Sequence, residues 1–156
     1  MEEGKLSKKD IKIVIAAHKP YRMPEDTMYV PLHVGAEGKK NPDGTPLDLG
    51  YQKDNEGDNI SAKNPYYCEL TGIYYAWKNI PAEYLGLVHY RRYFKGKNKS
   101  KDPFACIVTE PEMEKIFETH RIVVPKRRKY YIETLYSHYA HTHYAEHLYC
   151  VREIIG

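Results

Sequence analysis

Short apolar runs separated by polar turns dominate the hydrophobic pattern of the chain. Continuous, partly β-branched runs occur at residues 11–17, 84–90 and 122–125. Runs of this kind are typical of strands buried on both faces of a parallel sheet. Apolar residues at helical spacing lie between and after them. The order strand, loop, helix, strand, helix, strand, helix therefore predicts an α/β fold, a mainly parallel sheet with flanking helices.

Three helical segments are predicted. Asn64-Pro65 starts the first, with Asn as N-cap and Pro at the first helical position. One apolar stripe follows at helical spacing, formed by Tyr66, Leu70, Ile73, Tyr74 and Trp77. Thr109 and Glu112 form a capping-box pattern that begins a short helix to about Thr119. A largely helical tail covers residues 132–155, and residues 36–65 are a long loop.

Length and charge restrict the class of protein. With 156 residues, 42% of them hydrophobic, the chain suits one globular domain. We predict a polar leader at residues 1–10 and a single α/β domain at 11–156. Lys and Arg number 24 and Asp and Glu 21, a balance that excludes a polybasic nucleic-acid tail. We therefore expect no nucleic-acid partner.

The length of the apolar runs and the pattern of cysteines indicate the cellular compartment. The longest apolar run, residues 13–17, is far below the ~18–20 residues of a membrane span. Residues 1–10 are polar and do not form a signal peptide. Cys68, Cys106 and Cys150 are scattered and odd in number, which favours buried thiols in a reducing compartment. We expect a cytoplasmic protein without a transmembrane segment, with peripheral association at the inner membrane face left open.

Polar and basic residues follow each predicted strand. They are His18-Lys19-Pro20, His89-Tyr90-Arg91-Arg92 and residues 125–128. Ligands of parallel α/β sheets bind at the carboxyl ends of the strands. Adjacent Arg91 and Arg92 can clamp a diphosphate, and His89 can serve as acid, base or donor. The alternative is a solvated Arg pair beside a core histidine.

Other clusters have both a functional and a structural interpretation. Asp58-Asn59 offers acceptors for sugar hydroxyls, or forms an Asx turn before the helix. Glu69 faces the same cleft, or interacts with the helix dipole. His138, His141, His143 and His147 have spacings compatible with a metal site, but a Tyr- and His-rich polar groove is favoured because no Cys or carboxylate joins them closely. Phosphate-loop, dinucleotide, α/β-hydrolase and Cys-x-x-Cys motifs are missing from the sequence.

Several blocks in order along the chain resemble the DUF4422 family. They are residues 11–19, 29–36, 49–51, 57–61, 64–71, 77–79, 84–94, 130–136 and 138–139, among which His-Tyr-Arg-Arg-Tyr-Phe is distinctive. The family consists of bacterial glycosyltransferases of capsular or exopolysaccharide synthesis with a GT-A-like nucleotide-diphospho-sugar transferase fold. The resemblance implies a nucleotide-sugar donor, such as a UDP-sugar, and a glycan or lipid-linked glycan acceptor. Family members are longer, so the fold is expected to be incomplete, without its C-terminal part.

The resemblance also implies roles for individual residues. Ala16, Ala17, His18, Asp58 and Asn59 would bind the donor, together with Arg91 and Arg92. The Arg pair stands where GT-A enzymes carry an Asp-x-Asp metal motif, so no metal ligand is assigned and a requirement for Mn²⁺ or Mg²⁺ stays open.

The catalytic candidates are His89, Asp58 and Glu69, and the acceptor or sugar cleft would include Tyr90, His138 and His141. Two alternative functions remain. One is a non-catalytic nucleotide-sugar or carbohydrate-binding module, and the other is a His-rich metal-binding protein.

Overall fold

The computed structural model describes residues 8–127 and 129–155. Residues 1–7 of the predicted leader, Arg128 at the end of the third basic segment, and Gly156 lie outside the described residues. The chain divides into two compact units, residues 1–123 and residues 124–156.

A four-stranded sheet forms the centre of the first unit. Its strands are β1 (Ile11–Ala17), β2 (Tyr29–His33), β3 (Gln52–Lys53) and β4 (Tyr84–His89). They lie in the order β3-β2-β1-β4, and every neighbouring pair is parallel. The predicted α/β fold with a mainly parallel sheet and flanking helices is confirmed.

The central position of β1 explains its continuous apolar sequence. Ile11, Ile13 and Ile15 belong to one buried cluster, which includes Met113 of a later helix. Val14 and Ala16 belong to a second cluster on the opposite face. Because side chains alternate between the faces of a strand, a strand covered on both sides is apolar along its buried length, here residues 13–17. Lys12 is only partly buried, and its ammonium group donates to the Thr27 carbonyl.

The sequence pattern did not predict β2, because Pro31 interrupts it. The Val34 N–H donates to the Ala17 carbonyl at 3.0 Å, and the Asp54 N–H donates to the His33 carbonyl at 3.1 Å. The even-numbered residues of this segment thus bond to β1 and the odd-numbered ones face β3. Since β3 pairs with Leu32 and His33 alone, the missing N–H of Pro31, which lies on the β3 side, interrupts no bond to either neighbouring strand.

The predicted first helix is divided, and a different face is buried. Helix α1 (Asn64–Tyr67) and helix α2 (Leu70–Asn79) are separated at Cys68, which has φ 48°. Lys63, not Asn64, is the N-cap residue of α1. The sheet side of α2 presents Thr71, Gly72, Tyr75 and Ala76, all buried. The predicted stripe points outward instead, with Tyr66 86% and Trp77 64% exposed.

Close approach of α2 to the sheet explains this choice of face. A Cβ atom on Gly72 would lie 2.8 Å from Cγ1 of Val34. Small residues admit the helix to that distance, whereas the bulky side chains of the apolar stripe would hold it away.

Helix α3 (Glu110–Phe117) confirms the predicted capping box, since the Thr109 N–H donates to Oε2 of Glu112 at 3.0 Å. The predicted third strand at residues 122–125 is wrong. Those residues are irregular, and Ile122 and Val124 are 78% and 71% exposed. Val123 alone of these residues contacts the buried core. A strand there would have too little burial to offset its ordering.

The second unit contains α4 (Leu135–Thr142) and α5 (Glu146–Ile155). The predicted helical tail is therefore helical but interrupted, and the last bond of α4 joins the His143 N–H to the Tyr139 carbonyl at 2.8 Å. All three cysteines are free, but Cys68 and Cys150 are exposed, not buried, because they lie at a helix junction and on an outer helix face. In the described part of the chain, no helix has the length and apolar character needed to cross a membrane.

Candidate functional site

A pocket of about 400 Å³ opens at the carboxyl edge of the sheet. Residues at the ends of β1, β2 and β4 form its floor, and the segments after β2 and around the α1–α2 junction form its walls. The lining residues are Ala16, His18, His33, Val34, Lys39, Leu47, Asn64, Cys68, Glu69 and His89. Three imidazoles, one lysine and one carboxylate thus surround a partly apolar cavity, a composition suited to a polar, charged small molecule.

His33, at the end of β2, is the most enclosed of the three histidines. Its side chain is 1% exposed, and its Nδ1 atom has no hydrogen-bond partner among the described residues. Burial lowers the pKa of His33 below its usual range, and the nearby carboxylate of Asp54 partly opposes that shift. His33 is therefore a buried imidazole in the pocket lining, with one ring nitrogen that no described residue occupies.

His89 ends β4 beside Glu69. The His89 Nε2 atom lies 3.9 Å from Oε1 of Glu69, and Nδ1 accepts the Arg91 N–H at 3.3 Å. Burial lowers the pKa of His89, and the Glu69 carboxylate acts in the opposite direction. Two of the predicted catalytic residues therefore lie side by side in the lining of the pocket.

A tight turn follows β4 and arranges the Arg pair. The Arg92 N–H donates to the His89 carbonyl at 2.8 Å, and both arginines are exposed. The Arg91 guanidinium lies 5.1 Å from the centre of the Tyr90 ring. Neither guanidinium has a carboxylate partner among residues 8–127 and 129–155, so both are available to an anion near His89.

Tyr90 does not line the predicted cleft. Its side chain is 1% exposed, and its ring packs 4.3 Å from that of His89 and 5.2 Å from that of His18. The buried Tyr90 ring thus packs against two residues that line the pocket. Tyr90 therefore supports the positions of His18 and His89 and is not itself a lining residue.

Asp54 is a structural centre that the sequence analysis missed. Its buried carboxylate accepts the Gly35 and Ala36 N–H groups at 2.8 and 3.0 Å and the Thr71 hydroxyl at 2.8 Å. It also accepts the Ser61 hydroxyl. These bonds tie the segment after β2 to α2 and thus hold His33 and Glu69 in one pocket. The sequence signal nearest to this site is the apolar run around Pro31, which ends at Gly35. It indicates a strand end beside the backbone that Asp54 binds, but it does not indicate Asp54 itself.

Asp58 and Asn59 lie outside the pocket lining. Asp58 accepts the Tyr74 hydroxyl at 3.0 Å, and its N–H donates to the Asn79 side chain at 3.2 Å. The Asn59 side chain accepts the Ser61 N–H at 3.1 Å, which is the Asx turn expected as the alternative. In this arrangement both residues fix the loop to α2 and to the turn at Ser61.

The histidines of the second unit are divided among separate contacts. His138 and His141 lie 3.2 and 3.9 Å from Oε2 of Glu133. The His143 ring instead lies against the Tyr139 ring, and the His147 ring meets the Tyr144 ring edge-on. No group of three or more His, Cys, Asp or Glu side chains in the described ranges is arranged to hold a metal ion.

The absence of a strand at residues 122–125 also removes the strand end predicted for the third basic segment.

The fold and the pocket together define an α/β unit with a histidine-lined pocket at the carboxyl edge of a parallel sheet, the edge at which such sheets bind ligands. The family DUF4422, described as a domain of unknown function, matches residues 12–156, and the chain belongs to this family.

Among solved structures, the chain is similar to "WbbM bifunctional glycosytransferase apo structure", with 40% identity and a TM-score of 0.51. The likeness covers 60% of this chain and 16% of that one. A search of curated proteins found no match.

Proposed function

We propose that this chain forms the donor-binding part of a glycosyltransferase. The donor would be a nucleotide-sugar such as a UDP-sugar, and the acceptor a glycan or lipid-linked glycan of a capsule or exopolysaccharide. The observation that carries the proposal is the His-lined pocket at the carboxyl edge of the sheet, in a chain 40% identical to a glycosyltransferase over 60% of its length.

The donor would extend across the pocket from β1 to the turn after β4. Ala16 and His18 line the β1 end of the pocket, where the nucleoside would lie; Ala17 between them is fully buried and would only support this edge. The exposed Arg91 and Arg92, which follow His89 in the chain, would hold the diphosphate, because forked guanidinium donors match phosphate oxygens. A divalent ion would supplement that charge; the residues described here assign no ligand to one.

Glu69 is better placed than Asp58 to activate the acceptor. It lines the pocket 3.9 Å from Nε2 of His89, whereas Asp58 bonds to Tyr74 outside it. In the transfer, the acceptor oxygen forms a bond to the anomeric carbon and gives its proton to Glu69. The bond from that carbon to the diphosphate breaks, and the nucleoside diphosphate leaves with the electron pair.

A thermal-shift panel of nucleotide-sugars and nucleoside diphosphates tests donor binding, since a ligand of the folded state raises its melting temperature. The double variant R91A/R92A should bind the preferred nucleotide-sugar about 10–100-fold more weakly, the loss expected for one or two charge-assisted hydrogen bonds. K99A/K101A, which removes the same charge from an exposed loop, should bind like the wild type.

Two results separate the forms of the proposal. An R91A/R92A variant that binds as tightly as the wild type contradicts the role of the Arg pair. Donor binding without transfer to any glycan acceptor, with and without Mn²⁺, would instead assign the chain to the non-catalytic binding modules.

A further inference from the structure

Three histidines from three neighbouring strands surround one pocket. His18 follows β1, His33 ends β2 and His89 ends β4, and all three line the cavity. Among the described residues that line it, Glu69 is the one acid and Lys39 the one fixed cation. Imidazoles are the side chains whose charge changes most readily near neutral pH. The net charge of this pocket therefore depends on how many of them are protonated.

The environment of His33 favours the neutral ring before ligand binds. Burial lowers its pKa, and of the charged groups that face it Asp54 and Asp48 raise the pKa whereas Lys53 and Lys39 lower it further. Asp54 is already occupied by hydrogen bonds from Gly35 and Ala36 and from two hydroxyls.

His89 has a similar balance. Burial is the main cause of its lowered pKa; Glu69 opposes it, while Arg91, Arg92 and His18 act in the same direction as burial. Two histidines with lowered pKa values thus line one cavity, and two arginines without a carboxylate partner in the described part of the chain lie near one of them. An anion placed among them would reverse the electrostatic balance, since it favours the protonated form of each ring.

We propose that the pocket binds the diphosphate group of its ligand together with protons, which His33 and His89 take up on their rings. The inference rests on the proposed function and adds its regulation: the donor is held below neutral pH and released as pH rises. The geometric basis is the position of His33 and His89 around one cavity. The Nδ1 atom of His33 has no hydrogen-bond partner among the described residues, so no such partner there competes for a proton.

Isothermal titration with UDP-glucose at several pH values tests the coupling. The diphosphate of a nucleotide-sugar is a diester with constant charge, whereas a terminal phosphate has a pKa of about 6 and would add its own titration. We expect the dissociation constant to rise by at least about tenfold between about pH 6 and 8. Each proton taken up on binding can change the dissociation constant by at most about tenfold per pH unit. Titration in two buffers of different ionisation enthalpy should show net proton uptake.

The variants H33N and H89N remove the titrating ring and keep a polar side chain. Each should flatten the pH dependence while retaining binding at about pH 8, where the wild-type rings are already neutral. H120N is the matched control, because His120 is exposed at the end of α3 beside Thr119, and it should keep the wild-type slope. Should the buried H33N variant fail to fold, H89N still provides the measurement, because the His89 side chain is 21% exposed.

The outcomes distinguish this inference from the proposed function. Binding that is independent of pH in the wild type, or an unchanged slope in both H33N and H89N, overturns proton coupling and leaves donor binding intact. No binding of nucleotide-sugars by the folded chain at any pH overturns both.

Discussion

Replacing Asp54 by asparagine would test the junction on which the pocket depends. The Asp54 carboxylate is fully buried and accepts hydrogen bonds from the Gly35 and Ala36 N–H groups and from the Ser61 and Thr71 hydroxyls. Asparagine has the same shape but one acceptor oxygen. Its amide group must face one of the two backbone N–H groups in either orientation.

The structure allows the cost to be estimated. A hydroxyl can turn and accept a hydrogen bond from the new amide, whereas a backbone N–H cannot. One buried N–H therefore loses its partner, at about 1–3 kcal/mol, and the remaining bonds lose the assistance of the charge. We expect D54N to lower the free energy of unfolding by about 2–4 kcal/mol. Thermal unfolding would shift by about 2–4 °C for each kcal/mol in a chain of this size.

Urea and thermal unfolding, followed by circular dichroism, measure the loss. The control is D43N, which makes the same charge change in an exposed turn where the carboxylate accepts the Thr45 N–H at 2.9 Å. Amide hydrogen exchange should also become faster at Gly35 and Ala36 in D54N. Equal stability of D54N and D43N, with unchanged exchange at those two amides, would refute the assignment of Asp54 as the structural centre of the pocket.

Three further predictions concern buried faces, strain and ionisation. Y75A should lower the free energy of unfolding, measured in urea, by about 3–5 kcal/mol, whereas the exposed-site variant W77A should lower it by less than about 0.5 kcal/mol. The reverse order would indicate that the apolar stripe predicted from the sequence is the buried face of α2. C68G should raise that free energy by up to about 1 kcal/mol, because the φ of 48° at this position suits glycine. C68A should not raise it, and equal unfolding midpoints of C68G and C68A would contradict strain at this junction. Burial raises the pKa of Tyr93 to about 12. Because tyrosine in the unfolded chain ionises at about pH 10, the free energy of unfolding should fall as pH rises from about 10 towards 12. Y93F should unfold at a higher pH than the wild type, and an unchanged pH midpoint of alkaline unfolding in Y93F would contradict this.

Local sequence patterns were sufficient for the elements whose signals are short and undisturbed. The runs at β1 and β4 and the capping box of α3 predicted those elements because burial periodicity and caps are properties of adjacent residues. The same rule predicted that His18 and His89 lie at one edge of the sheet, and they line one pocket.

Long-range contacts decided the rest. β2 tolerates Pro31 because the neighbouring strand β3 begins beyond it, and two-residue β3 exists by pairing with β2. His33 and Asp54 joined the site through those two strands, so no local pattern indicated them. The buried face of α2 likewise depends on how near the sheet allows the helix to approach.

By itself, the sequence determined the α/β class, the parallel arrangement and the edge of the sheet where polar side chains gather. These follow from periodicity and from the common direction of parallel strands. The tertiary structure alone decided which histidines share the pocket, which face of α2 is buried and which carboxylate holds the walls together. Each of those depends on distances between residues far apart in the chain, which only the folded backbone defines.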